Sequence, residues 1–411
     1  MIESTARVEI ASVAAGGDGV GRSNGMVVFV PRTAPGDVAL VRVPAGKRFA
    51  RGHLESLEVA SPHRVQPACH HYTVDRCGGC QLQHLAYDAQ LAAKGVIIGD
   101  ALRRIGKREV DAPTVESSDA QWRYRRKLTL HLRRVGSRWV AGLHPYDDPA
   151  TVFDLRDCPI TTDGVLAVWK EIRPHFDLLP DERQLRVAVR LVEAGASVVV
   201  EGGHAWPLAD RFFAAAPSVW ELWWRPAVGH VRRLAAREGA ARAGASFVQV
   251  NAGVAASLRE YVLERVWHHG PARVIDAYAG MGDTAIPLAA EGRTVVAIEL
   301  DRDAVASYRN RLRPPSVAIV GRVEDHLPAA LPADVVLLNP PRAGVDARVA
   351  DALQCAPLAP RAILYVSCDP ATLARDVARM PRYRVASLRA YDMFPQTAHV
   401  ETVCELVPEA A

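Results

Sequence analysis

Two side chains late in the sequence have the types and settings of a covalent reaction. Cys368 stands in Ser367-Cys368-Asp369-Pro370, directly after the apolar run AILYV. Such a run reads as a buried strand, which carries the thiol to the carboxyl edge of a sheet, where open α/β folds bind ligands. Pro370 opens a helical pattern, ATLARDVARM. A helix N-terminus beside the thiol is expected to lower its pKa and favour thiolate. A solitary cysteine is more often a packing residue; the strand-end setting and the turn favour a nucleophile. Glu401, in HVETVCELV, interrupts an otherwise apolar strand pattern. A surface glutamate on an edge strand is the plainer reading, but a buried carboxylate needs a partner or a proton to move. A thiolate and a carboxylate together can add to an activated double bond and then remove a proton from it.

A second group reads as a nucleoside-cofactor site. Asp276-Ala-Tyr278-Ala-Gly280-Met-Gly282-Asp283 follows an apolar run, and its glycines let the backbone approach a ligand. Glu299 ends the next strand-like run, nineteen residues after Gly280. An acid at that distance can accept the ribose hydroxyls. The spacing also permits a dinucleotide, but no hydride-transfer machinery follows. Asn339-Pro-Pro-Arg342 instead closes the fourth strand, where S-adenosylmethionine enzymes place a loop between cofactor and target base. The cofactor expected is S-adenosyl-L-methionine. Asn-Pro-Pro also suggests methylation of an exocyclic amine, which wants an aromatic next; this chain has Arg342.

A third group lies far upstream. CHHYTVDRCGGCQLQH holds Cys69, Cys77 and Cys80, and Cys158 in DLRDCPI can supply a fourth thiolate. Four cysteines suit either zinc or a [4Fe–4S] cluster; His70, His71 and His84 keep a mixed Cys/His zinc site open. From Gln121 to Arg138 there are seven Lys or Arg, no acid, and two aromatics, Trp122 and Tyr124. Arg123, Arg125, Arg126 and Lys127 are the candidates for RNA phosphate contacts. A solvated strand face is the alternative.

The elements that must position these groups fall into three parts. Residues 1–60 alternate short strand-like runs with turns such as GGDGVG and TAPGD, the pattern of a small OB-like β-barrel. Residues 61–242 read as a central α+β domain, with 83–115 expected to pack on the catalytic part. Residues 243–411 alternate strand and helix as in a Rossmann-like, doubly wound sheet. No internal repeat is apparent. Net charge is +4, with 49% hydrophobic and 23% charged residues, as in ordinary globular chains. No segment nears the roughly 18 apolar residues of a spanning helix. A cytoplasmic protein without membrane contact or an obligate protein partner is expected, its cysteines serving metal or catalysis.

The start of the chain, with GDGVGR, MVVFVP and APGD, resembles a TRAM domain, an RNA-binding module. FVQVN, DAYAGMG, AIELD, NPPRAG, YVSCDPATLARD and MFPQTAHVET occur in order and resemble the RNA uracil-C5 methyltransferases of the TrmA/RumA type. That resemblance implies Cys368 as nucleophile and Glu401 as base. It implies Gln249, Tyr278, Asp283, Glu299 and Asn339 as cofactor contacts. It also favours a [4Fe–4S] cluster on Cys69, Cys77, Cys80 and Cys158, although seven residues separate the first two where five is usual. Further departures are Asn339 for the usual Asp, Ala279 for Cys, Asp283 for Asn, and Asp369 for Asn. TRAM plus a cysteine cluster points to 23S rRNA as substrate, with tRNA as the alternative. A non-catalytic RNA-binding protein would not require Cys368 and Glu401.

Overall fold

The computed structural model describes residues 3–44, 49–192, 195–240 and 249–409. The chain forms two compact units. One comprises Met1–Val65, His84–Asp119 and Gly253–Ala411; the other comprises Gln66–Gln83 and Ala120–Ala252. The central part expected over 61–242 is interrupted at the segment, 83–115, expected to pack on the catalytic part. Residues 84–119 leave it because they carry both a buried helix, Tyr87–Arg104, and a strand of the catalytic sheet, Val115–Glu116. The boundary expected between residues 242 and 243 falls outside the described residues.

In the first unit, six strands run in the order Phe49–Arg51, Met26–Val30, Gly19–Ser23, Glu3–Val13, Val38–Pro44, His53–Val59. The two edge strands are consecutive in the chain, separated by Gly52 alone, so the sheet curls onto itself as a barrel. Gly52 is required there: a side-chain carbon would stand 2.3 Å from Val41. Val8, Ile10, Val28, Val30, Val41 and Val43 fill the interior.

The catalytic sheet of this unit has eight strands. Their order is Val317–Val320, Thr294–Glu299, Arg273–Ala277, Val335–Leu338, Ala362–Ser367, Glu401–Pro408, Tyr383–Tyr391, Val115–Glu116. The first five run parallel, and Glu401–Pro408 enters antiparallel to Ala362–Ser367. Val335–Leu338 and Ala362–Ser367 are buried throughout, because helices cover both faces of a parallel sheet. Side chains alternate: Val336, Leu338, Ile363 and Tyr365 join one core, Val335, Leu337, Leu364 and Val366 the other.

In the second unit a six-stranded sheet packs Leu128, Leu130, Leu132, Val187 and Val189 against the helix Asp163–Ile172. Among the described residues no helix is long and apolar enough to cross a membrane.

One buried network ties the long helix Ala252–His268 to the antiparallel strand. Glu405 accepts from Arg265 at 2.9 and 3.0 Å and from Ser387 at 2.7 Å, and its carboxyl lies 2.6 Å from His269 Nε2. Burial pushes this carboxyl up, but those hydrogen bonds outweigh it and hold it near about 2, against 4.5 for an ordinary glutamate. A depressed carboxylate stabilises the fold above its unfolded pKa and loses that contribution as pH falls through the folded one. Glu405→Gln should therefore lower stability at neutral pH by about 2–3 kcal/mol. In thermal or urea melts the gap from the parent should close between pH 4.5 and about 2.

Candidate active site

The strand Ala362–Ser367 and its antiparallel neighbour set the reactive pair. Ser367 lies opposite Thr402, so the next step of the register places Cys368 opposite Glu401. On the other side of Glu401 stands Tyr391. The turn after the strand is held tightly. Ser367 Oγ donates to the Asp369 carbonyl at 3.0 Å, and Asp369 caps the helix Pro370–Ala378 by accepting from Ala371 and Thr372 N–H at 3.0 and 2.9 Å.

The Cys368 thiol is not activated in the way its helix-terminal position suggests. Burial pushes it up and the Glu401 and Asp369 charges push it further, against Arg342 and a backbone hydrogen bond at Cys368 itself. The helix N-terminus is already capped by the Asp369 carboxylate, whose charge offsets the favourable field. Glu401 is 4% exposed, and its carboxyl makes no hydrogen bond among the described residues. Burial raises it to about 8, again against Arg342. The Glu401 charge thus disfavours the thiolate, and Arg342 is the cation that both groups sense. The sequence reading used Arg342 only as a non-aromatic. Its signal was sheet order: Val335–Leu338 neighbours Ala362–Ser367, so the loop after one strand adjoins the turn after the other.

That loop is anchored from beneath by Asp376, which is fully buried. Its carboxylate accepts from Val345 N–H at 2.9 Å, Tyr365 hydroxyl at 2.8 Å and Arg375 at 3.0 Å. Gly344 has φ +78, and a side chain there would meet Asp376 at 2.3 Å.

The glycine turn after Arg273–Ala277 is equally constrained. Tyr278, Gly280 and Gly282 have φ of +65, +55 and +77. A tyrosine in the left-handed region is strained, as residues at ligand sites often are. Glu299 accepts from Gly280 N–H and from Asp301 N–H, both at 2.8 Å, so it fastens the turn as well as ending its own strand. Nothing stands within 4 Å of where a Gly280 side chain would begin. Asp283 and Asn339 are exposed at neighbouring strand ends, and Tyr278 is half-buried. Open space over the turn, with a fixed carboxylate beside it, fits a nucleoside cofactor. Asp276, given no role from sequence, is buried beneath: burial raises it to about 7 against the Thr284 hydroxyl, and Glu299 and Asp283 add to the rise. Gln249 is half-buried and belongs to the second unit. Phe247 and Val248 of its motif lie outside the described residues.

In the second unit the four upstream cysteines share one neighbourhood. Cys69, Cys80, Tyr72, Tyr124 and Ile160 form a buried cluster with Cys158 packed on it. Burial pushes the Cys80 thiol up, and the charges of Cys158, Cys77 and Cys69 push it further. Gly79 N–H points at Cys77 Sγ at 3.4 Å. All four are free thiols, a donor set that suits a metal–thiolate group. Even so, among the described residues no three His, Cys, Asp or Glu side chains are gathered closely enough to hold a metal ion. His71 is committed elsewhere: Nδ1 lies 2.7 Å from Asp75 and Nε2 accepts Arg156 N–H at 3.2 Å. His70 is exposed, and His84, in the first unit, is driven to about 4 by burial.

The basic strip begins against the same cysteines. Arg123 N–H donates to Pro159 O at 2.8 Å and Arg125 N–H to Ile160 O at 2.8 Å. The Arg123 guanidinium is tied to Asp157 at 3.0 and 3.1 Å and to the carbonyls of Cys158 and Thr161, so it braces this segment. Arg126 is exposed. Lys127 lies across from Arg190; burial and then the charges of Arg190 and Arg125 push it down. Arg125, Lys127 and Arg190 thus concentrate positive charge on one sheet face.

A parallel sheet ending in a glycine turn, a ribose-type acid and an Asn-Pro-Pro loop defines the fold of S-adenosylmethionine-dependent methyltransferases. Residues 321–407 match the tRNA (uracil-5-)-methyltransferase family, and residues 1–54 match the TRAM domain. An RNA methyltransferase of Protochlamydia amoebophila is 32% identical, covering 97% of this chain and 96% of its own. The 23S rRNA (uracil(1939)-C(5))-methyltransferase RlmD of Pseudomonas putida is 31% identical, covering 97% and 92%. The crystal structure of Pyrococcus abyssi tRNA (uracil-54, C5)-methyltransferase with S-adenosyl-L-homocysteine superposes with a TM-score of 0.69, at 25% identity over 98% and 99% of the two chains. The chain belongs to the RNA uracil-5-methyltransferase family of the TrmA/RumA type, with an N-terminal TRAM domain.

The electrostatic pairing of Cys368 with Glu401 has a direct readout. Glu401 carries its charge only above about pH 8, so its effect on the thiol appears there. Glu401→Gln should speed iodoacetamide alkylation of Cys368 by ~3- to 10-fold above that pH and change it little below. Peptide mapping separates Cys368 from the exposed Cys355. Equal rates at every pH would contradict the pairing.

Proposed function

We propose that this chain methylates carbon 5 of a uridine in RNA, with 23S rRNA as the favoured substrate. The observation that carries the reading is the register that sets Cys368 opposite Glu401 at the sheet edge. Cys368 Sγ, as thiolate, bonds to carbon 6 of a flipped-out uridine, and the displaced electron pair makes carbon 5 an enolate carbon. Tyr278, Gly280, Asp283, Glu299 and Asn339 would hold S-adenosylmethionine, which would supply the methyl as an electrophilic sulfonium carbon, the C–S electron pair leaving with S-adenosylhomocysteine. Once carbon 5 carries the methyl, Glu401 takes the remaining carbon 5 proton. The electron pair left behind restores the double bond, and the C6–Sγ bond breaks with its pair returning to Cys368. Arg342 favours the ionised forms of both residues, which supports this thiolate route over methylation of an exocyclic amine.

Similarity to RlmD over nearly the whole chain supports 23S rRNA; similarity to the archaeal tRNA enzyme keeps tRNA as the second reading. Arg125, Arg126 and Lys127 are proposed phosphate contacts. Cys69, Cys77, Cys80 and Cys158 are proposed ligands of a [4Fe–4S] cluster that secures the start of the basic strip. Four cysteines suit zinc and iron–sulfur alike; the family resemblance is what favours iron–sulfur. Anaerobically purified protein should contain iron and sulfide with visible thiolate-to-iron absorbance; iron-free, zinc-bearing protein would overturn the cluster.

RNA carrying 5-fluorouridine should form a covalent adduct with the parent and none with Cys368→Ala, since fluorine cannot leave as a proton. An active preparation giving no adduct would sink the mechanism. With ordinary RNA, product release should rise with pH through about 8 as Glu401 ionises. Glu401→Gln should form methylated adduct and hold it. Unmodified 23S rRNA and tRNA transcripts offered in parallel decide the substrate.

A further inference from the structure

The proposed base does not sit on a strand that continues smoothly from its predecessor. Tyr391 ends one strand, Glu401 begins the next, and residues 392–400 between them are irregular. Since Tyr391 pairs directly with Glu401, the path of this link sets where the Glu401 carboxyl points.

The link is gripped by one face of the helix Tyr87–Arg104, some 300 positions away in sequence. Lys94 and Asp392 are both fully buried, and Lys94 Nζ donates to Asp392 Oδ1 at 2.5 Å and to the Phe394 carbonyl at 3.1 Å. One turn earlier, Gln90 Nε2 donates to Gln396 Oε1 at 3.0 Å, and Gln90 Oε1 accepts Gln396 N–H at 3.0 Å. Gln396 has φ +70, a conformation that persists only where its surroundings dictate it. Asp392 N–H donates to Glu116 O at 2.9 Å, beside the pairing of Tyr391 with Glu116. A buried ion pair seldom adds net stability over an apolar pair of the same shape; its best-attested use is to select one arrangement. A helix facing the core with glutamine and lysine, where leucine would pack, has that arrangement as its product.

We propose that Lys94, together with Gln90, is a positioning residue for proton abstraction. It fixes the 392–400 link so that Glu401 meets carbon 5 of the target uridine, and it touches neither substrate nor cofactor. The inference rests on Glu401 being the base.

The test separates adduct formation from adduct release. Tritium-labelled methyl is followed from S-adenosylmethionine onto unmodified 23S rRNA and tRNA transcripts in single turnover, with adduct read on denaturing gels. Lys94→Met alone leaves Asp392 buried and unpaired and can fail to fold. The charge-free pair Lys94→Met with Asp392→Leu, and separately Gln90→Leu, therefore carry the comparison. Both should form methylated adduct within ~3-fold of the parental rate yet release it ~10- to 100-fold more slowly. Parental release, or equal slowing of both steps, overturns the positioning role. Failure of both variants to fold does so too, because the contact then serves the fold alone. If Glu401→Gln traps methylated adduct while these variants do not, the positioning inference fails and the base stands. If Glu401→Gln itself turns over normally, the base assignment fails first.

Discussion

One antiparallel pairing inside a parallel sheet governs this molecule. A parallel sheet presents all its strand ends, and the loops after them, along one edge. That suits cofactor binding, but it brings two reactive side chains face to face only through loops. Running Glu401–Pro408 against Ala362–Ser367 brings a strand start to the same edge as a strand end. Cys368, one residue past the last paired position, then faces Glu401 across the end of the ladder. The cost is electrostatic: two acidic groups then share a site with little water, burial pushes both up, and the Glu401 charge pushes Cys368 further. Arg342 reaches that site because the loop bearing it follows the adjacent parallel strand.

Around this pairing the structure uses buried and half-buried carboxylates as joints. Asp376 fixes the Asn-Pro-Pro-Arg loop to the helix that follows Cys368. Glu405 binds the first helix of the catalytic domain to the antiparallel strand. Glu299 closes the cofactor turn through two backbone amides. In each case the charge is met by several donors at once, the condition under which a buried ion rigidifies its surroundings instead of weakening them.

Much of this was legible because the chemistry falls at strand ends, and strand ends show in sequence as apolar runs closed by glycine, proline or asparagine. AILYVSCDP, RVIDAYAG and DVVLLNPPR each announce their element and its reactive residue together. What the sequence hid was long-range. The helix Tyr87–Arg104 was visible from its periodicity, but not why Gln90 and Lys94 lie on its buried face, because their partners are Gln396 and Asp392. The helix terminus at Pro370 was visible, but not that Asp369 cancels its effect on the thiol. Arg123 looked like the other basic residues of its strip; only Asp157 and the carbonyls beyond Cys158 reveal it as a brace.

The place of Glu401–Pro408 also bears on how the protein is made. This strand follows Ala362–Ser367 and Tyr383–Tyr391 in the chain, yet it lies between them in the sheet. Until it arrives, the sheet carries a gap between its two neighbours. The Lys94–Asp392 contact, across nearly the whole catalytic unit in sequence, is slow to form, because a long loop must close before it contributes. An unfinished chain can hold a completed barrel and Cys368, but not yet the carboxylate that stands opposite it.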